Sequence, residues 1–145
     1  MWLKTFIEKQ IKKYNTSCPF KLANYLNIQV IEYDLHEEIR GYYKYDRRNK
    51  YIVINSNLTD EWKRIVCAHE LGHALLHPRL NTPFMRKNTL FLIDKIEREA
   101  NLFAAHLLIP DENLFNFSEQ TTIYDIATLH NVPIELVELK YKGLF

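Results

Sequence analysis

Glycine is scarce in this chain: it occurs three times in 145 residues, at Gly41, Gly72 and Gly143. There is also no Gly/Ser-rich linker, no internal repeat and no low-complexity tract. These absences exclude a string of flexibly joined modules and predict one compact, mostly helical domain over residues 1–145. Cysteine is rarer still. Cys18 and Cys67 are too few for a disulfide framework and fit a reducing compartment. Charge of one sign is missing as well, since 19 Lys plus Arg face 18 Asp plus Glu. No global field recruits nucleic acid or an anionic membrane, so neither is an expected partner. No apolar run approaches the roughly 20 residues of a membrane span. The first twenty residues carry lysines throughout instead of a sustained apolar segment, so no secretory signal is visible. The expected location is the cytoplasm.

What is present is strong periodicity. Trp2, Phe6, Ile7, Ile11 and Tyr14 have helical spacing, and Ser17 is placed to cap a short helix with Pro19 in its first turn. The period then changes. Ile28 to Leu35, Tyr42 to Tyr45 and Tyr51 to Ile54 read as strands, with a polar turn at Asp46 to Lys50. Their short connections predict a small antiparallel three-stranded sheet packed on helices, an α+β fold. Thr59 opens a helix that runs to about His77 and stops before Pro78. A polar loop, Pro78 to Asn88, leads to a second long helix through about Leu108, ended by Pro110. After a loop at Phe115 to Gln120, two short helices flank Asn131-Val132-Pro133, with Gly143 expected as the final C-cap. This pair, 121–143, has a helix-turn-helix rhythm. Glu135 and Glu138 offset Lys140 and Lys142, so it lacks a basic recognition face and is expected to pack on the rest of the domain.

The first long helix carries His69-Glu70-Leu71-Gly72-His73, an H-E-x-x-H pattern. Residues four apart share one helical face, so both imidazoles can reach one cation. Trp62, Ile65, Val66 and Leu76 fall on that face too, which turns the histidines inward. Zn²⁺ takes imidazole nitrogen and keeps a position open for water in catalytic sites, with Glu70 beside that water as general base. Cys67 lies toward the far side of the helix and reads as a packing residue. A third ligand is needed, and the candidates are Glu97 and Glu99. Glu97 lies on an apolar stripe with Ile93, Ala104 and Leu108, where a carboxylate needs a partner. Glu99 projects with His106 toward the opposite, wetter face, and His106 and His130 read as surface residues. Ala100, Ala104 and Ala105 are small enough for the two helices to approach closely. Asn101, one turn after Glu97, is placed to accept the free N–H of a ligand histidine. His77 either borders the cleft or merely ends the helix. Tyr42, Tyr43, Tyr51 and His77 are all open as donors to a tetrahedral intermediate.

Three blocks together, Tyr51 to Asn55, Ala68 to His77 and Glu97 to Pro110, resemble the ImmA/IrrE family of metallopeptidases in order and spacing. The resemblance spans roughly residues 20 to 142. It implies a zincin-like core and an intracellular zinc-dependent protease with ligands His69, His73 and Glu97 and catalytic base Glu70. Small members of the family are anti-repressors of phages and mobile elements that cleave a helix-turn-helix repressor, which implies such a protein substrate here. Two other readings stand beside it. One is a non-catalytic module that binds a repressor around a structural metal, although an intact Glu70 argues against this. The other is a broader stress-response protease like IrrE.

Overall fold

The computed structural model describes residues 2–80, 90–110 and 122–144, apart from the side chains of 90–94 and 142–144. The described chain begins with two helices, α1 (Trp2–Tyr14) and α2 (Pro19–Tyr25). Three strands follow: β1 (Ile28–Tyr33), β2 (Gly41–Asp46) and β3 (Asn49–Asn55). Four further helices complete it: α3 (Asp60–Leu76), α4 (Leu90–Leu108), α5 (Ile123–His130) and α6 (Ile134–Leu144). The fold is α+β, and the three-stranded sheet lies on helices as expected. The expected loop at Phe115 to Gln120 and most of that at Pro78 to Asn88 lie outside the described residues.

The sheet departs from the expected meander. Its order is β1-β3-β2: β2 pairs antiparallel with β3, but β1 pairs parallel with β3, Ile28 opposite Lys50 and Tyr33 opposite Asn55. The cause lies in β3 and in the connection before β2. Ile52, Val53 and Ile54 are all buried, so β3 is covered on both faces and belongs at the centre. Residues 34–40 are enough chain to pass over that central position and leave it open for β3. The β2–β3 turn is tight, with Arg47 and Arg48 both at positive φ (49° and 68°), the backbone of a two-residue hairpin loop.

The side chain of Asn55 organises the 34–40 connection. Asn55 is 2% exposed, and its amide nitrogen donates to the carbonyls of Leu35, His36 and Ile39 at 3.2, 3.2 and 2.9 Å. Its oxygen accepts from the backbone of Leu35 and Asn57, and its own N–H donates to the Arg40 carbonyl at 2.8 Å. One buried amide thus satisfies a stretch of irregular backbone that no ladder can satisfy.

Helix α3 starts where sequence places it. The Thr59 hydroxyl accepts from the Trp62 N–H, and Asp60 and Glu61 in the first turn complement the helix dipole. It ends at His77, and the Tyr43 hydroxyl donates to the carbonyl of Pro78 just beyond, tying the helix end to β2. Helix α4 lies along α3, and α1 and α6 lie against α4. The α3–α4 approach is close because Gly72 meets Ala100. A Cβ on Gly72 would sit 3.2 Å from the Ala100 Cα and 3.0 Å from the Phe103 Cβ.

Other expectations are corrected here. His106 is 7% exposed rather than a surface residue, because the side of α4 facing away from α3 is covered by α1 and α6. Lys140, weighed in the sequence among the charges of the last helix, is 1% exposed and donates to the Ile109 carbonyl. Half-buried His130 has its carbonyl bonded by Arg64 at 3.3 Å. Gly143 lies within α6 rather than capping it.

Candidate metal centre

The two motif histidines stand one turn apart on α3, ring centroids 4.8 Å apart and nearly perpendicular. Their orientation comes from α4. Glu97 spans the pair, one carboxylate oxygen 3.0 Å from His69 Nε2 and the other 2.8 Å from His73 Nε2. Asn101, one turn further along α4, places its side-chain oxygen 2.8 Å from His69 Nδ1. That oxygen only accepts, so Nδ1 carries the proton and Nε2 faces Glu97. The close Gly72–Ala100 contact is what lets these short side chains meet across the helix pair.

Charge within the cluster follows its geometry. Burial works against an imidazolium at both histidines. At His69 the hydrogen bond from Glu97, the charges of Glu70 and Glu97 and the Asn101 bond outweigh it, and the pKa is raised. At His73 burial prevails, helped by repulsion from His69 and His77, and the pKa is lowered. Burial also works against the Glu97 carboxylate, but hydrogen bonds and charge from both histidines hold it well below the usual carboxylate range. Both imidazole Nε2 atoms therefore face an ionised carboxylate, each contact bridged by a ring N–H. A divalent cation fits the same donors by displacing those protons from Nε2, since ligand histidines must be neutral and ligand carboxylates ionised. The donor set of two imidazoles and a carboxylate also suits a catalytic zinc site, which leaves a further position open.

Glu70 stands between the histidines on α3 and is 4% exposed. One potential ligand atom from each of His69, Glu70 and His73 lies within 4.8 Å of the others. Distance alone thus admits either glutamate. The contacts separate them, because Glu97 touches both Nε2 atoms. Glu70 lines a cleft of about 900 Å³ beside His69. The floor and one wall of this cleft come from α3 and α4, the rim from Glu38, Arg40 and Gly41, and the far wall from Pro133, Glu135, Leu136 and Leu139 around the start of α6. The C-terminal helix pair therefore contributes a wall of the cleft, a role that amphipathic spacing does not reveal.

The remaining candidates separate cleanly. Glu99 is not at the cluster; it pairs with His77 at 3.3 Å, and neither residue lines the cleft. Tyr42 and Tyr51 do not line it either. Tyr43 is fully buried, its hydroxyl engaged with Pro78, and burial together with Tyr45 pushes its pKa up to about 12. Cys67 is fully buried, and that burial raises its thiol pKa, as suits a packing residue. Sequence reasoning missed Glu38, Arg40 and Glu135, which carry no motif. It also missed Gly72 as the helix-crossing residue, although a glycine on an inward helical face was an available signal.

Comparison with known proteins identifies the family. The family model described as IrrE N-terminal-like domain, a peptidase family, matches residues 23–142. "Uncharacterized immunity region protein 2" of Bacillus phage phi105 is 55% identical over 139 residues, covering 95% of this chain and 88% of the phage protein. "Metallopeptidase ImmA" of Bacillus subtilis strain 168 is 29% identical over 141 residues, covering 95% and 83%. With the match running from α2 to α6 and taking in every residue of the cluster, this chain belongs to the IrrE N-terminal-like family of metallopeptidases.

Proposed function

We propose that this protein is a cytoplasmic zinc-dependent endopeptidase whose substrate is a helix-turn-helix transcriptional repressor. One observation carries the enzymatic part: His69 and His73 converge on Glu97 beside a cleft that Glu70 also lines. Zinc fits the donors better than magnesium or calcium, which favour oxygen ligands throughout. His69, His73 and Glu97 would hold it, and the Asn101 contact to His69 Nδ1 would leave Nε2 free to bind. When bound, zinc would polarise the scissile carbonyl and lower the pKa of a water molecule.

The chain's own residues supply the rest. Glu70 accepts the proton of the attacking water and returns it to the leaving amine. Burial keeps its carboxylate in a low-dielectric surrounding, where such transfers are coupled strongly to nearby charge. Strand β2 is an edge of the sheet, and its first residue, Gly41, lines the cleft. An extended substrate can therefore add to that edge and be held by its backbone.

The substrate reading draws support from the family resemblance and from a relative named for a phage immunity region. The cytoplasmic reading rests on the sparse cysteines, and no helix among the described residues is long and apolar enough to cross a membrane. The test is incubation of the zinc-loaded protein with the repressor encoded beside it, followed by mass spectrometry of fragments. One or a few cuts by the unaltered chain and none by Glu70→Gln support the proposal. An intact repressor that is merely bound would instead make the protein a stoichiometric binding module. Degradation of casein as fast as any repressor would make it a general peptidase.

A further inference from the structure

Arg40 holds an unusual position on the cleft rim. Its guanidinium lies over the Trp62 ring at 4.2 Å from the centroid. No ion pair or side-chain hydrogen bond joins it to any described residue. Glu38 and Glu135 line the same cleft, and neither forms an ion pair with Arg40. Its backbone is anchored, since the Arg40 carbonyl accepts the Asn55 N–H at 2.8 Å and Asn55 bonds three carbonyls of the segment leading to it. A planar cation is thus fixed on an aromatic face, with no ion pair to either carboxylate of the rim. The stack orients the plane, and the anchored loop sets its height.

We propose that the Arg40–Trp62 stack is a specificity subsite for a carboxylate of the substrate, two or three residues from the scissile bond. This rests on the endopeptidase reading above. The distance follows from the helix. Trp62 precedes His69 by seven residues, about 10 Å along the axis at 1.5 Å per residue. An extended peptide rises about 3.3 Å per residue, so the stack faces roughly the third residue from the metal. The ligand chemistry follows from the donors, because a guanidinium fork matches a carboxylate bidentately. Glu38 and Glu135 sharpen the choice, since each repels an acidic residue brought near it, while the guanidinium attracts one. The carboxylate is either an Asp or Glu side chain or the C-terminus of a peptide.

The experiment uses full-length Glu70→Gln protein loaded with zinc, so that binding is measured without cleavage. The probes are four fluorescent octapeptides of otherwise apolar residues. They carry Asp or Asn at the third position on either side of the central bond, each with a free or an amidated C-terminus. Asp peptides should bind about tenfold more tightly than Asn peptides, or free-ended ones than amidated ones, which identifies the carboxylate's source. The preference should vanish in the Arg40→Gln background and return only in part with Arg40→Lys, which restores charge without the fork. Zinc content and circular dichroism should be the same in all backgrounds. Equal affinities, binding too weak to measure for all four peptides, or a preference that survives Arg40→Gln overturns the subsite. Because no cleavage is required, an inactive enzyme and a wrong subsite give different results.

Discussion

Helix α3 ends in three histidines spaced four apart, and α4 faces them with two glutamates spaced two apart. The two ends of this array differ sharply. At one, His69 and His73 both meet Glu97, and Asn101 backs His69. At the other, one turn on, His77 meets Glu99 alone at 3.3 Å, and the buried His77 Nδ1 has no hydrogen-bond partner among the described residues. The residue types are the same at both ends, so composition does not make the difference. Convergence does: two imidazoles on one carboxylate gather three donor groups at one point, while a single pair is an ordinary part-buried contact. The crossing at Gly72 sets which histidines reach across, and the cleft opens only at the converging end.

The comparison breaks most visibly at the glutamates. Under the proposed function, Glu97→Gln removes an anionic ligand and should abolish stoichiometric zinc and activity together, whereas Glu99→Gln should keep both. Elemental analysis of each protein, purified without added metal, checks this. Zinc lost from the Glu99 variant and kept by the Glu97 variant would exchange the roles of the two ends. Next in size is Glu70→Gln. The change is nearly isosteric and removes no contact to His69 or His73 that Glu97 makes. Turnover should fall by roughly 10²–10⁴-fold with zinc retained, and turnover within a few-fold of normal would exclude Glu70 as the base.

A smaller effect is expected from Asn101→Ala. It leaves His69 Nδ1–H without its acceptor while sparing all three proposed ligands, and losses of about 10–100-fold in metal affinity are typical of such partners. A chelator competition titration reads this directly. Unchanged affinity and turnover would make Asn101 a packing residue. Gly72→Ala probes the crossing itself. The added Cβ meets backbone at Ala100 and the root of Phe103, neither of which can swing away. Overpacking of this kind costs about 1–3 kcal/mol, so the melting temperature should drop by several degrees and zinc affinity should weaken with it. A fully stable variant with unchanged affinity would show that the helices have room to spare.

Much of this was readable in the residues, and the failures share a cause. Periodicity reveals which side of an element is apolar. The inward face of α3, the Thr59 cap and the apolar run of β3 were therefore legible. Periodicity does not reveal what lies against that side. The parallel β1–β3 pairing depends on a connection held by Asn55, whose three carbonyl partners leave no trace in sequence spacing. Likewise the wheel separates His106 from Glu97 correctly but assigns the separated face to water. Leu102, Phe103, Leu107 and Leu108 make the end of α4 apolar nearly all round, which signals a helix buried on more than one side. The cleft rim was illegible for a further reason. Arg40 and Glu135 lie far apart in the chain and line one cleft only because α6 packs back against α4.

The smallest effect belongs to the non-converging end, and its smallness is the point. His77→Asn combined with Glu99→Gln removes one part-buried pair that lines no part of the cleft and has no hydrogen bond to Glu97. Exposed and part-exposed pairs are worth about 0.2–1 kcal/mol, which for a domain near 150 residues is a few degrees of melting temperature at most. Zinc stoichiometry should not change, and turnover should stay within about threefold, the size of effect expected away from the reacting groups. Differential scanning calorimetry and a single-turnover assay measure the two quantities. His77 does abut His73, with ring centroids 5.9 Å apart, so a route for influence exists. If the double variant loses activity as severely as Asn101→Ala while keeping its zinc, that route matters. The array would then act as one three-histidine unit, and the division drawn between its two ends would fail.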